Sequence, residues 1–173
     1  MNNNITVIFT AHKSKKLILN YLQNIYEKFK IIVVDNSDDI DLENEISKKY
    51  PKVIFKMMKN EGYGAAVNCA VKFVKTKYFL VSNPDVEGID TDSIYRFEKA
   101  ASNLNDNFSI IGPIDLDIRP KEIKTNYISD LNKKKQITGI CMFFNKKNFD
   151  LVSGFDENIF LYYEDNDICK RTY

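Results

Sequence analysis

The feature that most constrains the fold is the alternation of short apolar runs with amphipathic segments in the first half of the chain. Runs rich in β-branched and aromatic residues occupy 5–9, 31–34, 53–58 and 78–82, and each has the length of one buried strand. The segments between them repeat apolar residues at the spacing of a helix. This alternation predicts an α/β fold with a mostly parallel central sheet, joined by right-handed crossovers and flanked by helices.

The helical segments differ in character. The first is predicted to begin at Ser14, as its cap, and to end near Phe29. The third carries small residues from Ala66 to Val74, which suit close packing on a sheet. Beyond the fourth strand the pattern predicts a helix from Asp90, a strand at 109–112, a polar excursion at 114–135, a strand at 136–144, and helices at 146–152 and after 164.

Length and composition narrow the class of protein. The 173 residues have room for one domain, and 25 basic against 24 acidic side chains leave a net charge of +1, which gives no case for binding nucleic acid. Cys69, Cys141 and Cys169 are far apart and form no CxxC pair, which predicts reduced core thiols in a cytoplasmic protein.

The sequence also bears on membranes. The start of the chain has no signal-peptide pattern, and no apolar stretch reaches the roughly 18 residues that a membrane span needs. We therefore expect at most peripheral contact with a membrane, at its inner face.

The strand at 78–82 ends abruptly at Asn83 and Pro84, because proline cannot donate to a sheet and forces the residue before it into an extended conformation. Asp85 is thereby predicted just beyond the carboxyl end of a central strand, which is where ligands bind in open α/β sheets. A carboxylate there can hold a hard divalent cation, and the cation can hold a diphosphate. The same residues would also form a plain turn, and this stretch alone does not separate the two interpretations.

Four strand ends present polar groups that a parallel sheet would bring to one edge. They are Thr10-Ala11-His12, Asp35-Asn36, Asn60 to Gly64, and Asn83-Pro84-Asp85. Gly62 and Gly64 would let the backbone approach a ligand, and the helix behind them offers free N–H groups. The glycines match neither a Walker loop nor a G-x-G-x-x-G turn, so a plain strand–helix turn is their simpler account, as a surface position is for His12.

A second acidic site, Glu164-Asp165, follows the aromatic run Phe160-Leu161-Tyr162-Tyr163. Acidic residues at the start of a helix suit the helix dipole, which accounts for one of the carboxylates. An aromatic approach would in addition form a low-dielectric wall that raises the pKa of a carboxyl group toward the working range of a general base. Both interpretations are open from these residues.

Taken together, these pieces resemble the inverting family-2 glycosyltransferases with the GT-A fold, above all the rhamnosyltransferase-like members. The pieces occur in the expected order along nearly the whole chain: ITVIF at 5–9, VVDNS at 33–37, NEGYGAAVN at 60–68, NPD at 83–85, and GFDENIFLYYEDNDICKR at 154–171. The last of them is the most specific.

The resemblance implies a role for each position. Asp35 would read the base of a nucleoside-diphosphate sugar, Asp85 would bind Mn2+ or Mg2+ in the family's Asp-x-Asp site, and Asn83 stands where that site usually has its first aspartate. Asp165 would be the catalytic base, with Glu164 beside it for positioning. Further donor contacts are expected at the remaining strand ends and the helix start, at Thr10, Ala11, His12, Asn36, Asn60, Gly62, Gly64 and Asn68.

The activity that the resemblance implies is transfer of a hexose, with inversion, from a dTDP- or UDP-sugar to a hydroxyl group of a glycan or lipid-linked glycan in polysaccharide biosynthesis. By analogy, dTDP-rhamnose is one such donor. Residues 1–112 would bind the nucleotide sugar, and residues 113–173 would carry the acceptor site and the base in the same domain. The family usually continues past the Glu-Asp motif, so we expect a shortened version in which donor binding is a safer expectation than turnover.

Three other functions compete with this one. A shortened homologue could bind a nucleotide without catalysis. A sugar-1-phosphate nucleotidyltransferase would need a glycine-rich loop with Arg or Lys directly after the first strand, and residues 10–14 contain no glycine. A receiver-type signalling domain would place its acidic cluster on early strands and would leave Glu164-Asp165 unexplained.

Overall fold

The computed structural model describes residues 2–113 and 134–173. The predicted excursion at 114–135 lies outside these residues, apart from its last two positions. The strands of the described residues are β1 (Ile5–Ala11), β2 (Lys30–Asp35), β3 (Ile54–Met57), β4 (Tyr78–Ser82), β5 (Ile110–Ile111) and β6 (Cys141–Asn145). The helices are α1 (Lys15–Ile25), α2 (Ile40–Lys49), α3 (Tyr63–Val71), α4 (Thr91–Asn103), α5 (Lys146–Leu151) and α6 (Glu164–Thr172). The predicted order of elements is confirmed in these ranges.

The strands form one sheet in the order β3-β2-β1-β4-β6-β5. Strand β1 pairs in parallel with β2 and β4, and β2 pairs in parallel with β3. Strand β6 runs antiparallel to its neighbours β4 and β5. Because β6, from residues 113–173, lies between β4 and β5, both from residues 1–112, the two parts of the chain contribute to one sheet. The predicted α/β fold with a mostly parallel sheet is confirmed.

Successive residues of the central strands supply two cores, because the side chains of a strand alternate between its faces. Phe9 and Leu80 are fully buried in the core under α1, α2 and α4. Ile8 and Phe79, their neighbours in sequence, are fully buried in the core under α3, α5 and α6. Helices therefore cover both faces of the sheet.

The residues that cap the helices agree in part with those expected from the sequence. Asp90 caps α4 in a capping box with Ser93, and Asp39 accepts a backbone N–H at the start of α2 at 2.8 Å. Ser14 precedes α1 but makes no capping hydrogen bond, and its buried hydroxyl has no partner among the described residues. Ser14 thus occupies the predicted N-cap position, but its side chain does not cap the helix, which ends at Ile25, earlier than predicted.

All three cysteines lie in the described residues and are free thiols. Burial raises the pKa of the Cys141 thiol to about 12, so this thiol is an inert part of the core at neutral pH. In the part of the chain that the structure describes, none of the helices has the length and apolar character to cross a membrane.

Candidate functional site

Three of the predicted strand ends meet at the carboxyl edge of the parallel strands. The Nδ1 atom of His12 lies 2.9 Å from Oδ1 of Asn36, and the Asn36 amide donates to Oδ1 of Asn60 at 3.1 Å. The same Asn60 oxygen accepts the backbone N–H of Gly62 at 3.3 Å. A continuous chain of hydrogen bonds thus links the ends of β1, β2 and β3 to the turn before α3.

A cavity of about 440 Å³ opens between the end of β1 and the end of β4. Ala11 is fully buried in β1, and its carbonyl accepts the N–H of Asn36 at 3.0 Å. Four of the residues that line the cavity were predicted as site residues, namely Thr10, His12, Asn83 and Asp85. The lining also includes two lysines, Lys13 and Lys16. The two lysines were not predicted as site residues, although basic side chains in the loop after the first strand (Lys13) and the first turn of α1 (Lys16) are a signal for binding phosphate.

Asp85 is exposed at this cavity. Within residues 2–113 and 134–173, no group of three or more His, Cys, Asp or Glu side chains is arranged to hold a metal ion. A Mg2+- or Mn2+-type ion in a nucleotide site needs only one or two carboxylates, because substrate phosphates and water complete its coordination. The Asp85 carboxylate, with the Asn83 amide on the same cavity wall, fits that smaller requirement.

Asp35, predicted to read the base of the donor, is fully buried at the end of β2. Its carboxylate accepts the hydroxyl of Ser37 at 2.8 Å and the backbone N–H groups of Ser37 and Asp39, both at 3.0 Å. These bonds hold the loop between β2 and α2, a role that the sequence did not reveal. Contact with a base stays a prediction, for which Oδ1, with one hydrogen bond in the structure, can accept a second.

The glycines before and within the first turn of α3 are required by the late part of the chain. A Cβ atom at Gly62 would stand 2.2 Å from the carbonyl oxygen of Phe160, and the φ angle of Gly62 is +101°, which favours glycine. A Cβ atom at Gly64 would stand 2.9 Å from the Cβ of Phe155. Both close approaches are to protein, so the predicted contacts of these glycines with a donor stay predictions.

Asn68 also contacts the late part of the chain. Its amide donates to the carbonyl of Phe155 at 2.9 Å and accepts the N–H of Phe155 at 3.0 Å, and it donates to Glu157 at 3.0 Å. The side chain thereby holds the turn at 154–157 on α3. The predicted contact of Asn68 with the nucleotide sugar stays a prediction.

The start of β6 joins the two predicted acidic sites. The backbone N–H of Asn83 donates to the carbonyl of Ile140 at 2.9 Å, and the N–H of Gly139 donates to Oδ2 of Asp165 at 2.9 Å. We call Gly139 and Ile140 the junction. Because the junction touches both the end of β4 and the start of α6, Asp85 and Asp165 lie at the same edge of the sheet.

Tyr63 connects the donor-side turn to the junction, and the sequence analysis passed over it. Its hydroxyl donates to the carbonyl of Gly139 at 2.9 Å. Burial, with a further contribution from the Glu164 charge, raises the pKa of Tyr63, so the hydroxyl stays a hydrogen-bond donor. An aromatic residue between two glycines at a helix start was the available signal.

The Asp165 carboxylate is half-buried and held by two backbone N–H groups, from Gly139 at 2.9 Å and from Asn166 at 2.7 Å. Glu164 is 7% exposed, and its Oε2 atom has no hydrogen-bond partner among the described residues. Burial, together with the nearby Asp165 charge, raises the pKa of Glu164. The two adjacent carboxyl groups thus have different environments.

The predicted aromatic wall before these carboxyl groups is wrong. Tyr162 and Tyr163 are 73% and 74% exposed, and Phe160 and Leu161 are also exposed. Left-handed backbone conformations at Tyr162 and Tyr163 turn the chain between this exposed run and α6. The raised pKa of Glu164 comes first from the burial of its side chain at the start of α6.

Substitution Glu164→Gln is expected to raise the free energy of unfolding more at about pH 8 than at about pH 5, because glutamine does not ionise. The folded-state pKa of Glu164 lies above the unfolded value of about 4.3. The stabilisation from this group is therefore complete below the unfolded pKa and is lost as the pH rises through the folded pKa. Urea unfolding at the two pH values measures the effect, with exposed Glu43→Gln as the control. An equal change at both pH values would contradict the prediction.

Comparison with known families and proteins gives a consistent result. The model of the family described as "Glycosyl transferase family 2" matches residues 6–154. The rhamnosyltransferase WbbL of Escherichia coli K12 is 26% identical over 202 residues, which cover 96% of this chain and 76% of WbbL. The low-salt glycan biosynthesis hexosyltransferase Agl10 of Haloferax volcanii is 25% identical over 194 residues, which cover 99% of this chain and 62% of Agl10.

Solved structures of glycosyltransferases share the fold. The mannosyltransferase PcManGT from Pyrobaculum calidifontis, in complex with GDP-Man and Mn2+, superposes with a TM-score of 0.70 at 17% identity. S. aureus TarS 1-349 in complex with UDP superposes with a TM-score of 0.72 at 16% identity. Each superposition covers 98% of this chain, and the chain spans 51% of PcManGT and 55% of TarS 1-349. The predicted GT-A fold is confirmed.

Proposed function

The chain belongs to glycosyl transferase family 2, and on that basis we propose that it transfers a hexose, with inversion, from a nucleoside-diphosphate sugar to a hydroxyl group of a glycan or lipid-linked glycan. The observation that carries the proposal is the junction. The carbonyl of Gly139 accepts a hydrogen bond from the Tyr63 hydroxyl, and the N–H of Gly139 donates to Asp165. The carbonyl of Ile140 accepts a hydrogen bond from the N–H of Asn83. These contacts of one short segment with Tyr63, Asn83 and Asp165 support a site that combines the candidate donor groups with the candidate base.

The donor would occupy the cavity between the ends of β1 and β4. Lys13 and Lys16 on its wall would neutralise phosphate charge. Asp85, with Asn83, would hold a Mg2+- or Mn2+-type ion, which when bound would stabilise the negative charge of a departing diphosphate.

Asp165 would act as the general base. Its carboxylate takes the proton of the acceptor hydroxyl as that oxygen forms a bond to the anomeric carbon. The bond from this carbon to the diphosphate oxygen breaks on the opposite face, and its electron pair leaves with the nucleoside diphosphate. The N–H groups of Gly139 and Asn166 keep the carboxylate in place, and Glu164 supports it from the buried side.

The relatives bear on the identity of the donor and the acceptor. One relative is a rhamnosyltransferase and the other a hexosyltransferase of glycan biosynthesis, which supports dTDP-rhamnose or another dTDP- or UDP-hexose as donor and a glycan precursor as acceptor. Because the chain spans 62% of Agl10 and about half of the two solved structures, turnover by this chain is itself part of the proposal. The cytoplasmic location at the inner face of a membrane stays a prediction.

Calorimetric titration with UDP, dTDP and GDP, each with and without Mn2+, tests the donor site, and a donor-hydrolysis assay tests turnover. We expect one of the nucleotides to bind and Mn2+ to strengthen its binding. Substitution Asp85→Asn should abolish the Mn2+ effect. Asp150→Asn is the matched control, because Asp150 lies on α5, which begins where β6 ends opposite Tyr78, at the other edge of the sheet. Failure of every nucleotide to bind would overturn the proposal, and binding without hydrolysis or transfer would assign the chain to the non-catalytic alternative.

A further inference from the structure

Four consecutive large side chains are exposed directly before α6. Phe160, Leu161, Tyr162 and Tyr163 are 54%, 51%, 73% and 74% exposed. A soluble protein rarely exposes a run of this kind without a use for it. The two most exposed members are tyrosines, whose rings combine an apolar face with a polar edge.

The backbone of the two tyrosines is strained. Their φ angles are +65° and +69°, a region in which bulky residues are outliers and glycine or asparagine is favoured. Tyr163 occupies the N-cap position of α6 but makes no capping hydrogen bond through its side chain. Neither the turn nor the helix cap therefore explains why tyrosine stands at these positions.

A second cavity gives a better explanation for the tyrosines at positions 162 and 163. It has a volume of about 390 Å³ and is lined by Tyr162, Tyr163, Glu164, Asp165 and Asn166. This volume falls within the range of small-ligand sites. Glu164 is one of its lining residues, and the Oε2 atom of this side chain is buried without a hydrogen-bond partner among the described residues.

We propose that Tyr162 and Tyr163 form a platform for the sugar ring of the acceptor, which lies over them with one hydroxyl group toward Asp165. The inference rests on the proposed function, because it takes Asp165 as the base. A base must lie within hydrogen-bond reach of the hydroxyl that it deprotonates, so the acceptor has to enter a cavity that Asp165 lines. Sugar rings have an apolar C–H face and a polar rim, and exposed tyrosines offer a matching surface.

Substitutions Tyr162→Gly and Tyr163→Gly test the platform, singly and together. Glycine removes the ring and adopts the left-handed backbone conformation without strain, so the turn is retained. The measured quantity is the ratio of sugar transferred to an acceptor over donor hydrolysed by water, because only transfer needs the acceptor site. The probes are dTDP-rhamnose and UDP-glucose as donors, with methyl N-acetyl-β-D-glucosaminide and methyl α-D-mannoside as acceptors.

We expect the transfer-to-hydrolysis ratio to fall about ten-fold in the double variant, as the loss of ring contacts of this kind implies. Leu161→Gly is the matched control, because Leu161 is an exposed member of the same run that does not line the cavity, and it should keep the wild-type ratio. An unchanged ratio in the tyrosine variants would overturn the proposal and leave the run as a contact for another protein surface. A fall of the same size in the Leu161 variant would also overturn it.

A binding experiment separates this inference from the proposed function. Titration of the wild-type protein with the two methyl glycosides, followed by NMR of the tyrosine ring signals, should shift the signals that disappear in the two variants. If the wild-type protein neither hydrolyses nor transfers, the proposed function fails while the titration still decides the platform. Absence of any shift with both glycosides would overturn the platform by itself.

Discussion

Substitution Asp165→Asn should reduce sugar transfer by about 10²–10⁴-fold, the range that a general base contributes. The asparagine side chain has nearly the same shape, and its oxygen can still accept the N–H of Gly139, which Asp165 now binds at 2.9 Å. It cannot take the proton of an acceptor hydroxyl. Transfer rates with saturating donor measure the loss, and calorimetry should show that nucleotide binding is retained.

The control for this substitution lies on the same helix. Asp167 pairs with Arg171 at 2.6 Å on the surface of α6, and an exposed pair of this kind contributes little to stability. Asp167→Asn should therefore leave transfer within the range of the wild-type protein. Wild-type transfer in the Asp165 variant would show that another group is the base, and loss of nucleotide binding in it would show that the substitution disturbs the donor site.

Substitution Gly62→Ala should lower the free energy of unfolding by about 2–5 kcal/mol, because it combines backbone strain with an overpacked contact. The new methyl group would stand 2.2 Å from the carbonyl oxygen of Phe160 at a φ angle of +101°. The chain would have to separate there, which would also break the bond from Tyr63 N–H to that carbonyl, now 3.2 Å long. Urea unfolding measures the loss.

Substitution Gly88→Ala separates the contribution of backbone strain from that of the overpacked contact. Gly88 also has a left-handed φ angle, +81°, but a Cβ atom there would meet nothing within 4 Å. This variant should lose only the strain contribution, on the order of 1–2 kcal/mol. Equal losses in the two variants would mean that contact with Phe160 does not limit the turn.

The sequence predicted the parts of the fold that depend on local pattern. The apolar run at 78–82 and its stop at Pro84 are local features, and β4 ends at Ser82 as they indicate. The position of β6 between β4 and β5 depends on contacts between distant parts of the chain, which periodicity does not encode. The absence of a capping hydrogen bond from the Ser14 side chain also depends on tertiary structure, because the fold buries its hydroxyl.

The convergence of the strand ends was predicted from the sequence, but the contacts of their side chains were not. Polar residues at the ends of parallel strands met at one edge because strand direction alone decides this. The partners of Gly64 and Asn68 lie about ninety residues later, at Phe155, so their contacts could not be read from the GYGAAVN stretch. The aromatic run at 160–163 is exposed, although it was predicted to form a wall beside the carboxyl groups. Hydrophobic composition indicates burial only on average.

The hydrogen-bond chain at the strand ends determines which proton His12 carries. A backbone N–H can only donate, so the atom of the Asn60 amide that faces the Gly62 N–H must be the oxygen. Asn36 must then direct its NH₂ group to Asn60 and its oxygen to the imidazole. The neutral ring is consequently the Nδ1–H tautomer, and its Nε2 lone pair is left to accept a hydrogen bond. In this neutral form the Nε2 atom can accept a hydrogen bond from a hydroxyl group but cannot donate one to a phosphate oxygen.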